Sequence, residues 1–448
     1  MMDGLLESVL REITPTKKEH NKEKQLIEDV TKELEKLGLK SLLVGSLAKK
    51  TDLRGDKDID LFILFDKSLS PDELERLGLE AGKKVFAALK ADYEIEYAQH
   101  PYVVGLYKGY NVDLVPCYDV GVDEIKSAVD RTPHHTTYIK RKIRQNKKLR
   151  DSILLLKQFM KGVNVYGAET KVEGFSGYLA ELLVLNYGSF TKTLNESVNW
   201  RFGEILDPGK QWDSPKEIEC LFPDSDLVII DPVDRYRNAA AAVSKQKIAL
   251  FKVCAERFID KPDRSFFYPP EIKPPSPSDV EKMIKSRDTL FYCMEFIHPK
   301  INVNSLYSQL RKTLKAVDSV VEEHGFRVMK SGYWTDEGGK SILLFEFEVY
   351  ALPSYEKKLG PPADRDRKDR TRFNDKYEKT YLEDGRWVAD CLRQYVDVKK
   401  LLDDVIDKRR GFGRNLREES DIRIKEGVGV LDNADVGYLI FLKDFLLI

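Results

Sequence analysis

The chain has 448 residues, with 74 Lys plus Arg against 75 Asp plus Glu, 42% hydrophobic residues and five cysteines, enough apolar material for two to four domains at roughly 100–200 residues each. A net charge of −1 excludes a globally basic nucleic-acid coater while leaving room for a local basic face. No apolar run approaches the length of a membrane span, Met1-Met2-Asp3-Gly4 does not open as a secretory signal, and cysteines at 117, 220, 254, 293 and 391 with no CxxC pair argue against a disulfide framework or a zinc site and for a cytoplasmic setting.

The first predicted element is a helix over Lys17–Leu37, whose Leu26, Ile27, Val30, Leu34 and Leu37 fall on one face, with Gly38 as its stop. A β-like run from Leu39 to Val44 ends in Gly45-Ser46, which can open a helix. Ile59–Phe65, short, β-branched and aromatic, reads as a central strand, and Pro71–Leu89 as a helix with proline in its opening turn. Strands follow at Tyr93–Tyr97, Tyr102–Tyr107 and Asn111–Val115, so the opening ~115 residues read as an α/β domain with a mixed sheet. From Tyr138 helices dominate, notably Asp151–Lys161, Gly177–Tyr187 and Ser244–Ile259, interrupted by a strand at Leu227–Ile230.

Residues 262–277 hold six of the nineteen prolines and read as a stiff linker. Beyond it, strand Thr289–Ile297, helix Ser305–His324, and strands Phe326–Trp334 and Ser341–Tyr350 give a βαββ order suited to a ferredoxin- or RRM-like layer. The stretch from Asp384 reads as mainly helical with short strands. The expectation is therefore an α/β and α+β multi-domain protein: residues 1–136 a catalytic head, 137–261 a helical central domain, 262–278 the linker, and 279–448 an α+β body and tail.

Chemistry concentrates at Gly45-Ser46, Asp58-Ile59-Asp60 and Asp113. On a strand Asp58 and Asp60 share a face while Ile59 packs on the other. Asp113 lies between the apolar Val112 and Leu114, and an unpaired buried carboxylate costs several kcal/mol, so such groups pair or bind metal. Three carboxylates converging from neighbouring strands suit Mg²⁺, and two such ions about 3.5–4 Å apart can serve an in-line displacement. The backbone N–H groups and hydroxyl of Gly45-Ser46 could cradle a phosphate. Taken alone, an Asp-x-Asp is more often two solvated charges; the apolar run around it and the third Asp shift the balance.

The order Gly-Ser…Asp-x-Asp…Asp resembles the polymerase-β nucleotidyltransferase superfamily. Val44–Lys49, Tyr97–Val103, Val112–Tyr118, Lys126–Pro133, Val165–Glu169, Gly174–Leu183 and Asp231–Asn238 further resemble the archaeal, class I CCA-adding enzymes, over about residues 20–260. The resemblance implies template-independent addition or repair of the 3′-terminal CCA of tRNA, CMP then AMP being transferred from CTP and ATP with release of pyrophosphate and with Mg²⁺ as cofactor. It implies that Asp58, Asp60 and Asp113 are the metal-holding, catalytic carboxylates and that Gly45 and Ser46 hold the triphosphate. Lys49, His135, Lys157 and Tyr166 match further triphosphate contacts, Arg237 the arginine beside the incoming base, and His100 a motif histidine near the site. A homodimer would be in keeping with the family. On residue type alone, Lys157 reads equally as a snorkelling cation, Tyr166 as a core aromatic, His134-His135 as loop residues and Arg237 as a helix flank.

For tRNA, two basic clusters stand out. Residues 140–150 carry Lys140, Arg141, Lys142, Arg144, Lys147, Lys148 and Arg150 without an acid, and residues 408–417 carry Lys408, Arg409, Arg410, Arg414 and Arg417, with Gly411 and Gly413 expected to loosen the backbone around Phe412. Phosphate neutralisation by such clusters would supply most RNA affinity, and a double-stranded acceptor arm would be read by shape and 2′-hydroxyls. Residues 356–379, nine basic against six acidic, read equally as a solvated face. The alternatives are a poly(A) polymerase- or oligoadenylate-synthetase-like enzyme, and a non-catalytic RNA-binding module on the same scaffold.

Overall fold

The structure is a computed structural model that describes residues 2–97, 100–271, 273–418 and 421–447. It divides into two compact units, Met1–Pro270 and Glu271–Ile448.

The first unit opens with α1 (Met2–Ile13) and α2 (Lys17–Lys36). Thr16 caps α2 by accepting from the Glu19 N–H, while the Glu19 carboxylate returns to the Thr16 N–H, satisfying two otherwise orphaned donors. β1 (Lys40–Leu43), α3 (Gly45–Lys49), β2 (Asp58–Phe65), α4 (Pro71–Leu89), β3 (Asp92–Tyr97), β4 (Pro101–Tyr107) and β5 (Tyr110–Tyr118) follow. The five strands form one mixed sheet in the order β1-β2-β5-β4-β3, in which only β2 and β5 run parallel. Alternation puts Ile59, Leu61 and Ile63 of β2 with Val112 and Leu114 of β5 into a core with Leu26, Val30 and Leu34 of α2 and Val85 and Phe86 of α4. The opposite alternation carries the acidic residues.

Helices α5 (Arg131–Gln145), α6 (Lys148–Gly162), α7 (Gly177–Tyr187), α8 (Phe190–Val198) and α10 (Lys245–Asp260) build a second core rich in phenylalanine. Between α8 and α10 lie β6 (Glu204–Leu206), α9 (Pro215–Leu221), β7 (Leu227–Asp231) and β8 (Asp234–Asn238), the strands forming a small sheet in that order. α1, which the sequence pattern did not single out, contributes Val9 and Ile13 to this second core and packs on α6.

The second unit begins with α11 (Pro277–Lys285), whose proline stands at the helix start behind the Ser276 cap. β9 (Leu290–Ile297), α12 (Val303–Glu323), β10 (Arg327–Thr335) and β11 (Lys340–Val349) come next. Then follow β12 (Tyr355–Pro362), α13 (Arg367–Lys376), β13 (Thr380–Glu383), β14 (Arg386–Leu392), α14 (Val398–Asp407), β15 (Ile422–Glu426) and α15 (Val436–Leu447). The larger sheet is antiparallel, in the order β10-β11-β9-β15, and a separate antiparallel sheet runs β12-β14-β13.

From Asp384 onward the chain carries α14 and α15 with the short strands β14 and β15, the mainly helical stretch expected there. One expectation needs correction. Gly411 and Gly413 do not loosen the chain. Phe412 is buried in the core of this unit, the Gly413 N–H donates to Thr313 Oγ1 at 2.9 Å, and a Cβ on Gly411 would collide with Ala316. These glycines permit close packing against α12. Among the described residues no helix is long and apolar enough to cross a membrane.

Candidate active site

The parallel register of β2 and β5 pairs Asp60 directly with Asp113, and Asp58 with Asn111, whose side-chain amide donates to Asp58 Oδ1 at 3.1 Å. Thus all three predicted carboxylates stand on two adjacent strands. Gly45 faces them from the first position of α3, just after β1. Its φ of +69° is a conformation L side chains rarely adopt, and a Cβ there would overlap Asp60 Oδ2, so glycine is required on both counts. Gly45, Asp60, Asp113, Tyr102 and Thr132 line one cavity of about 360 Å³.

Crowding two carboxylates into a half-buried cavity makes Asp60 and Asp113 resist ionisation. Burial, then the charges of Asp60, Glu96 and Asp58, push the Asp113 carboxyl up to about 7. Burial and the neighbouring Asp58 likewise raise Asp60, against the pull of Lys49. Such a set relieves itself by taking up cations or protons, and its all-oxygen donors fit a hard divalent ion.

Behind this acidic face lies a buried basic network. Lys49, at the end of α3, donates to Glu181 Oε2 at 2.7 Å. Lys157 of α6 lies 3.5 Å from Glu181 Oε1 and donates to the Thr51 carbonyl at 2.9 Å, while the Thr51 hydroxyl donates to Glu181 Oε1 at 2.6 Å. Burial opposes a charge on Glu181, yet Lys49 and Lys157 hold its pKa below the usual value; burial pushes Lys157 down. Lys157 does not snorkel; it is buried and paired. Tyr166 joins the same region. A Cβ on Gly177, the first residue of α7, would stand 2.8 Å from Tyr166 Oη and 3.5 Å from Lys157 Nζ, so the absent side chain is what lets these groups converge.

A second hub is Asp231, fully buried at the end of β7. Its Oδ2 accepts from His135 Nε2 at 2.7 Å and Arg237 Nη1 at 2.8 Å, and its Oδ1 from Tyr178 Oη at 2.8 Å and the Val233 N–H at 3.0 Å. Burial would raise its carboxyl, but His135 and these donors hold it at about 2. An ionised Asp231 fixes the proton of His135 on Nε2, and burial lowers the imidazole pKa despite that partner. The His135 ring also stacks on Tyr178, with centroids 4.1 Å apart. Contrary to the loop reading, His135 lies on α5, which follows a turn held by buried Asp130 accepting from the Tyr118, Lys126 and Ser127 N–H groups. Arg237 lies on β8 rather than beside a helix. Its side chain remains 37% exposed and lines a cleft of about 490 Å³ with Arg131, Ser176, Tyr236 and Asn238.

The remaining predicted positions are dispersed. His100 keeps a buried Nε2 with no hydrogen-bond partner among the described residues; Ala98 and Gln99 of its motif lie outside them. Ser46 sits in the first turn of α3. Lys140, Arg141 and Arg144 line one concavity of about 350 Å³ on α5, and Lys147 precedes α6 on the surface. Arg409 Nη1 donates to the Ile406 carbonyl at 2.9 Å, whereas Arg410 and Arg414 are exposed. Sequence reasoning passed over Glu181, Asp231 and Tyr178. The signal for Glu181 was available: one acid within the apolar run Leu179–Val184 is as costly, unpaired, as Asp113.

A mixed sheet presenting paired carboxylates across from a strand-to-helix glycine defines a nucleotidyltransferase, and a model of the nucleotidyltransferase domain matches residues 24–135. Residues 151–268 match the second domain of tRNA nucleotidyltransferase, and residues 287–430 the C-terminal domain of the CCA-adding enzyme. A CCA-adding enzyme of Methanothermobacter thermautotrophicus is 36% identical, covering 98% of this chain and 97% of that protein. The Methanosarcina barkeri enzyme is 37% identical over 96% and 94%, and that of Methanocaldococcus jannaschii 36% identical over 91% of each. The chain belongs to the CCA-adding enzyme family, and its activity is nucleotide transfer to complete the 3′-CCA of tRNA.

Proposed function

We propose that the 3′-hydroxyl of a tRNA attacks the α-phosphorus of CTP, and then of ATP, in the cavity between Gly45 and the Asp60–Asp113 pair, with pyrophosphate leaving. The single observation that carries this reading is the direct pairing of Asp60 with Asp113 beneath Gly45. Mg²⁺, held by Asp58, Asp60 and Asp113, would supply charge neutralisation at the reacting phosphate. Asp113 takes the proton of the attacking hydroxyl as general base. Gly45 and Ser46 hold the triphosphate through backbone N–H groups and hydroxyl. Lys49 and Lys157 set two positive charges against the one negative charge of Glu181, leaving the buried network a net attraction for phosphate; Tyr166 and His135 complete that wall.

Arg237, tethered by Asp231 but open to its cleft, lies beside the base. Replacing Arg237 by alanine should raise the KM for CTP and ATP about tenfold or more, consistent with about 1.5–3 kcal/mol for a hydrogen bond to a charged group, while tRNA affinity stays within twofold; steady-state kinetics beside a filter-binding assay read both.

Lys140, Arg141, Arg144 and Lys147, with Arg409, Arg410 and Arg414 in the second unit, are proposed to neutralise tRNA phosphates. The domains are proposed as head 1–136, central domain 137–261, linker 262–278 and body 279–448, with α1 and Phe267 packing into the central core. In the body, an antiparallel order of second, third, first and fourth strand with helical crossovers α12 and α14 supports a ferredoxin-like layer. A homodimer is supported by Tyr355, Leu359 and Leu392, exposed on the β12–β14 sheet, and a cytoplasmic setting by five free cysteines.

The test is incubation with Mg²⁺ and a tRNA transcript lacking CCA. Two residues added with CTP alone, and three with CTP plus ATP, are expected. Long A-tracts with ATP alone would indicate a poly(A)-type polymerase, and tRNA binding without addition a binding module; either outcome overturns the proposal.

A further inference from the structure

His20 and Glu23 lie one turn apart in α2 and so share a face of the helix, with His20 Nδ1 3.1 Å from Glu23 Oε2. Asp52 meets them from the segment that follows α3. One ligand atom of each residue falls within 4.8 Å of the others. Glu23 is only 5% exposed and Asp52 only 2%, and Asp52 Oδ1 is buried without a hydrogen-bond partner among the described residues.

Two buried carboxylates facing each other need a cation, and the neighbouring cations are committed elsewhere. Arg54 pairs with Glu19 at 3.4 Å, Arg150 donates to the Lys50 carbonyl at 2.8 Å, and Lys157 serves Thr51 and Glu181. Among the described residues only the imidazole of His20 reaches the pair, and its side chain is 36% exposed, so solvent has access from that side.

We propose that His20, Glu23 and Asp52 form a binding site for a divalent transition-metal ion of the Zn²⁺ class, separate from the catalytic carboxylates. One imidazole nitrogen with two carboxylate oxygens favours such an ion over Mg²⁺, and a water completes four-coordination. For bonds of about 2.0–2.1 Å, tetrahedral ligand atoms stand roughly 3.4 Å apart; the His20–Glu23 pair is already there, and small side-chain rotations of Asp52 close the remainder. These ligands carry no cysteine, so the cysteine spacing gave no sign of them. The ion would pin the segment after α3 to α2. Thr51, immediately before Asp52, receives Lys157 and donates to Glu181, so the ion holds the floor beneath the active site as a positioning element.

The test uses the full chain, stripped with a chelator and titrated with Co²⁺ in excess Mg²⁺, which occupies the catalytic carboxylates. One equivalent of Co²⁺ should give visible absorption bands of a tetrahedral site, be displaced by Zn²⁺, and raise the melting temperature. Asp113→Asn should leave this signal unchanged. His20→Ala, at a partly exposed position that does not endanger folding, and Asp52→Asn should each weaken binding at least about tenfold. Absence of the bands, their survival in His20→Ala, or their loss in Asp113→Asn would overturn the proposal.

Discussion

Asp113→Asn should abolish nucleotide addition while making the protein harder to unfold. The loss in kcat should reach at least about 10³-fold, because a proton acceptor alone contributes roughly 10²–10⁴-fold and a metal-holding oxygen goes with it. Binding of tRNA should change less than twofold. The stability gain follows from the raised carboxyl. Asp113 moves from 3.8 to about 7 in the folded chain, so between these values the native state binds more protons than the unfolded one, and stability falls as pH rises through that window. Asparagine has no such penalty. Without divalent ions at pH 8 the variant should gain on the order of 1–3 kcal/mol, and the gain should shrink as pH drops towards 5. Thermal melts in chelator at both pH values decide it; equal differences at each would mean that Asp113 is not under electrostatic stress.

Glu181→Ala should be the most destabilising single change in the first unit. It strands Lys49 and Lys157, both buried, with no counter-charge, and removing one partner of a buried ion pair costs about 3–5 kcal/mol. That corresponds to a fall in Tm of roughly 6–20 °C for a unit of this size. Thr51→Ala, which removes the hydroxyl bond to the same carboxylate and a longer one from Lys157 Nζ but no charge, should cost about 1–2 kcal/mol. Comparable losses for the two would show that the network is not held by charge. Activity should drop in Glu181→Ala even where the protein is fully folded, since both lysines lose the carboxylate that aims them.

The acidic half of the site was legible because it follows strand arithmetic. Asp58, Asp60 and Asp113 sit in short apolar runs, and a period of two decides which residues share a face; the parallel pairing of β2 with β5 then brings them together. The helices with caps and clear apolar faces, α2 and α4, were legible for the same local reason. The basic half was not. Lys49, Glu181 and Lys157 are spread over more than a hundred residues of sequence, and no local pattern says that they meet. Asp231 looked like the polar end of a strand, although four donors converge on it. The β12–β14–β13 sheet was missed because charged residues crowd its strands and α13 beside them, and small exposed sheets carry little alternation. His20 and Asp52 escaped because each alone is an ordinary polar residue, and only burial reveals the cluster.

The placement of α1 bears on how the polypeptide is made. Val9 and Ile13 are synthesised well before their partners in α6, which lie around residues 150–160, so the entire mixed sheet is inserted between the two pieces of one core. At about 5–20 residues per second, the opening helix waits roughly 7–30 s for the surface it covers, and that closure is of high sequence separation and correspondingly slow. A ribosome-bound chain therefore completes its nucleotidyltransferase sheet first. An excised fragment spanning 151–268, the span of the second-domain match, would lack α1 and bare the groove on α6 to water, whereas one that restores residues 2–13 in trans should regain a closed core.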